Sequence, residues 1–209
     1  MARPREFDET EALDAAIESF WLRGYEGTSM RDLAAAMGIT GASLYNAFGD
    51  KKALFKASLD RYVARGLEVR IAELRRLPPL AALRSFFGGL IKLSLEDSER
   101  KGCFLVNSAL DPGPLDPEFR RQMEAVLVRI ETFFRETIAA GQADGSIAAD
   151  QPAADLARQL LGLQFGLRVL ARMRPERALL EGLVRPAFAA LAPKRAVAAK
   201  RPRSPRRRR

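Results

Sequence analysis

The chain has 209 residues, 47% of them apolar, which suits two small helical domains with a sizeable core. It holds one cysteine and no histidine, so an internal disulfide, a Ser-His-Asp triad and a histidine metal site are all excluded. The net charge of +9 belongs to the chain's end: residues 193–209 carry nine Lys or Arg and no acid, the rest balances 26 basic against 26 acidic side chains, and residues 1–52 are net −3, so the charge is no sign of a basic groove on the folded part.

The first ten residues, MARPREFDET, place charges where a signal peptide needs an apolar stretch. Apolar residues then recur at spacings of three and four, and runs of period two are absent, so an all-α chain is expected. A first helix spans about 8–24, with Asp8 as cap, Glu11 as the return arm of a capping box and Gly24 as stop. Its stripe is Leu13, Ile17, Phe20 and Trp21. A second, short helix starts near Thr28 or Ser29, points Met30, Leu33, Ala34 and Met37 inward and ends at Gly38. Thr40 caps a third, about 41–47, with Ile39 and Leu44 as a hydrophobic staple. Asp50 caps a longer fourth helix to about 75, and Pro78-Pro79 closes it.

Further helices fit 79–95, 102–110, 117–140, 153–172 and 175–191. Asp116-Pro117 reads as a cap followed by Pro at the first helical position. The longest apolar run, about 160–167, is interrupted by Gly162, Gln164 and Gly166 and falls short of the roughly 18 apolar residues of a membrane span. Beyond Pro193 the arginine-rich end cannot bury apolar surface, and disorder is expected there. A soluble, cytoplasmic protein follows as the expectation.

Residues 30–48, MRDLAAAMGITGASLYNAF, carry the functional reading. Two short helices meet through a turn whose Gly38 tolerates positive φ, Ala34 leaves room at the crossing, and the apolar set faces a partner helix. The outward face of the third helix is small: Gly41, Ala42, Ser43, Tyr45 and Asn46. Such a face fits a DNA major groove about 12 Å wide, and an Asn amide matches an adenine edge in two hydrogen bonds. Thr40, Ser43 and Tyr45 are candidate phosphate donors, Thr28 and Arg31 are further candidate DNA contacts, and Lys51 and Lys52, cations set against the dipole of the fourth helix, suit a nearby phosphate. The bland alternative is a plain helix hairpin with a solvated lysine pair.

The stretch TSMRDLAAAMGITGASLYNAFGDKKALF, 28–55, resembles the DNA-binding signature of the tetracycline-repressor (TetR) family in its G-hydrophobic-T/S turn, its S-L-Y-x-x-F helix and the K-x-x-L-F that follows. The segment GCFLVNSALD, 102–111, resembles an element recurring in one subset of these regulators. The resemblance implies a helix-turn-helix domain at 1–52 and a helical effector-binding and dimerisation domain at 53–192, about nine helices in all, and the composition sets off a basic tail at 193–209. It implies a bacterial, nucleoid-associated homodimer that represses from a pseudo-palindromic double-stranded operator, half-sites about one helical turn apart, and is released by a small molecule. Tyr45 and Lys51 then touch phosphate, and Thr40 to Asn46 face the bases. The chain departs from the pattern at Gly41, where many members carry Lys or Arg, and at Ala42, where many carry Gly.

For the effector, the resemblance implies a cavity among the central helices. Candidate lining residues are Phe86, Phe87, Phe104, Phe133, Phe134 and Phe165, with Cys103, Asn107, Gln164 and Arg168 as polar anchors; aromatic stripes of this spacing equally build a core. Cys103, at a helix start beside Arg100 and Lys101, reads either as a redox or electrophile switch or as inert packing. For the dimer, the stripes Leu156, Leu160, Leu163, Leu167 and Leu179, Leu183, Ala187 are expected to form a four-helix bundle with their copies, Gly162 and Gly166 allowing close approach; the alternative is that they face their own core. The basic tail reads either as a phosphate grip or as a solubilising end. No cofactor is expected, and no enzyme. The competing function is a DNA-coating architectural protein without an effector.

Overall fold

The computed structural model of the chain describes residues 7–111, 113 and 116–193. Helix α1, Glu9–Arg23, begins where the Asp8 carboxylate accepts from the amides of Thr10 and Glu11, at 2.7 and 3.3 Å. Gly24, with φ +73°, closes it. Helices α2, Met30–Met37, and α3, Gly41–Phe48, follow, and α4, Lys51–Tyr62, runs without a break through a π-helical turn, Val63–Glu68, into α5, Val69–Leu74. These three segments make one rod. The body is completed by α6, Pro79–Glu96, α7, Phe104–Leu110, α8, Pro117–Ala143, α9, Ala153–Met173, and α10, Arg177–Leu191. With the rod counted once, the described residues hold nine helices, and no strand is found among them.

The starts and stops follow local chemistry. Asp50 caps α4 through the Ala53 amide, and Asp116 caps α8 through the amides of Glu118 and Phe119, with Pro117 at the first helical position. The capping box lies on α2, not on α1: Ser29 Oγ accepts from the Asp32 amide while Asp32 Oδ2 accepts from the Ser29 amide. Nothing in VARGLE, 63–68, announces a π turn; such turns occur as bulges inside α-helices, often at functional sites.

One apolar core runs through the chain. In the head, Ile17, Phe20, Leu33, Leu44 and Leu54 are buried where α1 packs on α2 and α4. Head and body meet in an aromatic cluster, with Phe55 edge-on to Phe20 at 4.9 Å and near Phe104 and Phe119 at 5.6 and 5.5 Å. In the body, Phe86, Phe87, Phe133 and Phe134 interlock between α6 and α8. No helix among the described residues is long and apolar enough to cross a membrane.

The stripe expected at the dimer interface is corrected here. Leu156, Leu160, Leu167 and Ala187 are buried in the chain's own core, where α9 packs on α8 and α10 on α9 and α6. Leu163, Leu179 and Leu183 are half-buried. A helical stripe shows that one face is covered, not whose residues cover it. The face of α9 turned outward is a different one, with Gly162 and Gly166 in open space beside Val169, Leu170 and Met173, the last 71% exposed.

Candidate nucleic-acid interface and effector cavity

Gly38 stands in the left-handed region, φ +66°, with nothing near a would-be Cβ, so backbone conformation alone calls for glycine there. The Thr40 hydroxyl accepts from the Ser43 amide at 3.1 Å and shares a 2.9 Å hydrogen bond with the Ser43 hydroxyl. One hydroxyl proton of that pair is used internally and one remains to donate outward. Leu44 is fully buried and fastens α3 to the head. Gly41, Ala42, Asn46 and the 56% exposed Tyr45 form the solvent face, and Arg31 of α2 is exposed beside them. The result is a small-residue ridge with free amides at its start, held rigidly from behind.

Two predicted DNA contacts are corrected. Thr28 is fully buried, and its hydroxyl donates to the carbonyls of Gly24 at 2.8 Å and Ser19 at 3.4 Å. It closes the α1–α2 turn, and Ser29 takes the capping role. Lys52 pairs with Asp116 of α8 at 3.1 Å. Burial pushes the Asp116 carboxyl up, but the Lys52 ammonium and the amides of Phe119 and Glu118 outweigh it and hold the group down at about 2. Lys51 rests over the Tyr25 ring, 4.3 Å from its centroid, at the start of α4.

A cavity of about 340 Å³ opens between the rod, α6, α7 and α9. Of the residues expected to line it, Phe86, Cys103, Gln164 and Arg168 do. The others are corrected: Phe87, Phe133 and Phe134 are core, and Phe104 packs on Trp21, Tyr62 and Phe55. Asn107 donates to the Lys101 carbonyl at 2.8 Å, and Phe165 lies outside the lining. Sequence reasoning missed the rod's share: Tyr62, Val63, Arg65 and Arg70 all line the cavity, Val63 and Arg65 from the π turn itself. An arginine-rich solvent-type pattern offers no signal for this.

The Cys103 thiol and the Tyr62 hydroxyl share a 3.6 Å hydrogen bond, either group donating, and burial and the neighbouring Cys103 drive the Tyr62 phenol well up. The cations thought to favour a reactive thiol point elsewhere. Lys101 pairs with Glu18 at 2.9 Å and Glu99 at 3.0 Å, and Arg100 is exposed.

The cavity is wired to the head. Arg61 of α4 grips Asp14 of α1 through two bonds of 2.7 and 2.6 Å, and Arg65, itself on the cavity wall, adds a third at 2.5 Å. The Arg61 hydrogen bonds hold the Asp14 carboxyl below the usual range against some burial, with the charges of Arg65 and Arg61 helping. Tyr62 lies edge-on to Trp21 of α1 at 5.2 Å. Among the described residues there is no His/Cys/Asp/Glu group able to hold a metal ion.

Comparison with known proteins matches this division. Residues 12–58 fit the model "Bacterial regulatory proteins, tetR family", and residues 79–186 fit "Tetracyclin repressor-like, C-terminal domain". The chain is 33% identical, over 83% of its length and 90% of the other's, to the HTH-type transcriptional regulator YezE of Bacillus subtilis. It is 31% identical to the HTH-type transcriptional repressor ComR of Escherichia coli, over 81% of this chain and 82% of that one. A solved structure of a cysteine mutant of the regulator CifR, complexed with 26-base-pair double-strand operator DNA, superposes with a TM-score of 0.79 at 35% identity, covering 90% of this chain and 99% of the other. Head, rod and helical body thus agree in sequence and in shape with one group of proteins, and the chain belongs to the tetR family of bacterial regulatory proteins.

Proposed function

We propose that this DNA-binding regulator is a homodimeric repressor, released from an inverted-repeat operator when a small molecule enters the cavity between rod and body. The observation that carries the reading is the outward ridge of α3: Gly41, Ala42, Tyr45 and Asn46 are exposed on a helix whose entry is set by Gly38 and Thr40. Asn46 reads a base edge, while Tyr45, Arg31, Lys51 and the free hydroxyl of the Thr40–Ser43 pair hold phosphates. The reading head is 1–52 and the sensing and dimerising part 53–192, with the rod serving both. The relative CifR in complex with operator DNA supports the DNA assignment.

The dimer forms through the outward faces of α9 and α10. Open Gly162, Gly166 and Gly182 let the helices approach, while Leu170 and Met173 supply exposed apolar surface. Two heads bind together only when their α3 helices are spaced to meet successive grooves. A ligand against Tyr62 and Arg65 pulls on Trp21 and Asp14, and so re-aims α1 and the ridge it supports. The ligand shifts this equilibrium by its differential affinity for the two arrangements and no further.

Selection of bound DNA from a random pool tests the reading. An inverted repeat should emerge, and a footprint should be confined to it. Equal binding to all sequences would point to an architectural, DNA-coating protein. A second reading has one observation behind it, the Cys103 thiol on the cavity wall hydrogen-bonded to Tyr62: modification of this thiol releases DNA. Alkylation that leaves operator affinity unchanged would remove it.

A further inference from the structure

The cavity wall holds more positive charge than negative, with Arg65, Arg70 and Arg168 against one acid, Glu73. Arg168 is only 7% exposed, and its two terminal nitrogens donate to neutral acceptors, the Ser94 hydroxyl at 2.7 Å and the Gly102 carbonyl at 2.5 Å. Its Nε has no hydrogen-bond partner. Among the described residues, no carboxylate lies within ion-pairing distance of it. Arg70, two residues beyond the π segment, faces the same cavity, half-buried and likewise without an ion pair among the described residues. Its guanidinium lies against α6 at Gly89, where a Cβ would fall 3.0 Å from Cζ, so that glycine makes room for it. Burial, and then the charge of Arg168, lower the Arg70 guanidinium from its ordinary value, while Glu73 and Tyr62 act the other way. Arg65 is neutralised by Asp14, and the one acid on the wall is Glu73.

Burying a guanidinium without an anion is costly, so an anion that enters beside it recovers part of that cost. A second polar group is equally unfinished. Gln164 is 4% exposed, lines the cavity, and its amide oxygen accepts from nothing. The rest of the wall is apolar, with Phe86, Leu90, Leu93 and Leu105.

Resting on the reading of this cavity as the effector site, we propose that the effector is a small organic carboxylate with an apolar body and a hydroxyl donor. The carboxylate lies between Arg70 and Arg168, planar guanidinium to planar carboxylate. The hydroxyl donates to the Gln164 amide oxygen, and the hydrocarbon lies along Phe86 and Leu105. A volume of about 340 Å³ admits a molecule the size of a substituted phenylacetate.

Calorimetric titration of the full chain decides it, with 4-hydroxyphenylacetate and 6-hydroxyhexanoate as probes and their primary amides as neutral counterparts. At least one acid should bind about tenfold or more tighter than its amide, as a charge-assisted pair predicts. Arg70→Gln should erase that preference while leaving the amide constant unchanged. Arg168 also ties α6 to the loop before α7, so the Arg70 variant carries the test. Gln164→Leu should remove the advantage of the hydroxy acid over phenylacetate. The proposal is overturned if neither acid binds, if amides bind as tightly as acids, or if Arg70→Gln leaves the acid constant where it was. An operator-release assay run beside it separates the two claims. An acid that binds without releasing DNA keeps the carboxylate site and removes the release mechanism; an amide that releases DNA better than its acid does the reverse.

Discussion

Thr28 and Lys52 show how a side chain's partner, not its type, decides its role. Both are polar residues flanking a reading helix, and both are spent inside the chain. Thr28→Val should cost about 1–3 kcal/mol by leaving the Gly24 and Ser19 carbonyls short of a buried donor. Operator affinity of the folded variant should stay at the parent value, measured by anisotropy on the selected repeat. Asn46→Ala, by contrast, should leave the melting temperature within about 1–2 °C, weaken operator binding by about 1–3 kcal/mol and relax the preference at one position of each half-site. Asp116 carries a pH signature. Its folded-state group sits at about 2 against an ordinary 3.8, so its stabilising effect is complete above about pH 4 and is lost as the pH falls toward 2. Acid unfolding of Asp116→Asn should lack that component, which circular dichroism across pH 2–5 would show.

At the level of elements, most of the helical order was legible. Asp8, Thr40, Asp50, Asp116-Pro117, Gly24 and Gly38 are local signals, and each stands at a helix end in the fold. What was not legible is tertiary. The Leu156–Leu167 stripe has the same period whether it faces a copy or its own α8, and the aromatic side chains of α6 and α8 look alike whether they line a cavity or fill a core. The rod's π turn, and with it the placement of Tyr62, Arg65 and Arg70, has no local sequence signature. Gly38→Ala tests a legible element: the left-handed backbone should cost about 1–2 kcal/mol and lower the melting point by about 2–8 °C. Asp14→Asn tests an illegible one. It breaks the Arg61 and Arg65 grip on α1, and should shrink ligand-induced release while leaving ligand binding intact.

For the whole molecule, the proposed dimer would pair through the exposed ridge of glycines and apolar side chains on α9 and α10. Met173→Glu should shift the chain toward monomer in sedimentation experiments and weaken operator binding, since a single head lacks the second groove contact. The basic end, residues 194–209, lies outside the described residues. Its nine cations nonetheless bear on affinity through charge alone. If they grip phosphate, truncation after Pro193 should flatten the slope of log affinity against log salt by several units. A slope unchanged by truncation would leave the tail a solubilising role.

The π turn in the rod also has an arithmetic consequence. A π turn is an α-helix carrying a surplus residue, so deleting one residue between Val63 and Glu68 lets the ladder anneal. The α-helical stretches on either side would keep the faces they present now, so the head stays seated on the body and Arg70 stays beside the cavity, but the wider turn that carries Val63 and Arg65 on the cavity wall would be gone. The expected phenotype is a superrepressor: a protein that clamps its promoter and ignores the inducer, made by subtraction of a single amino acid.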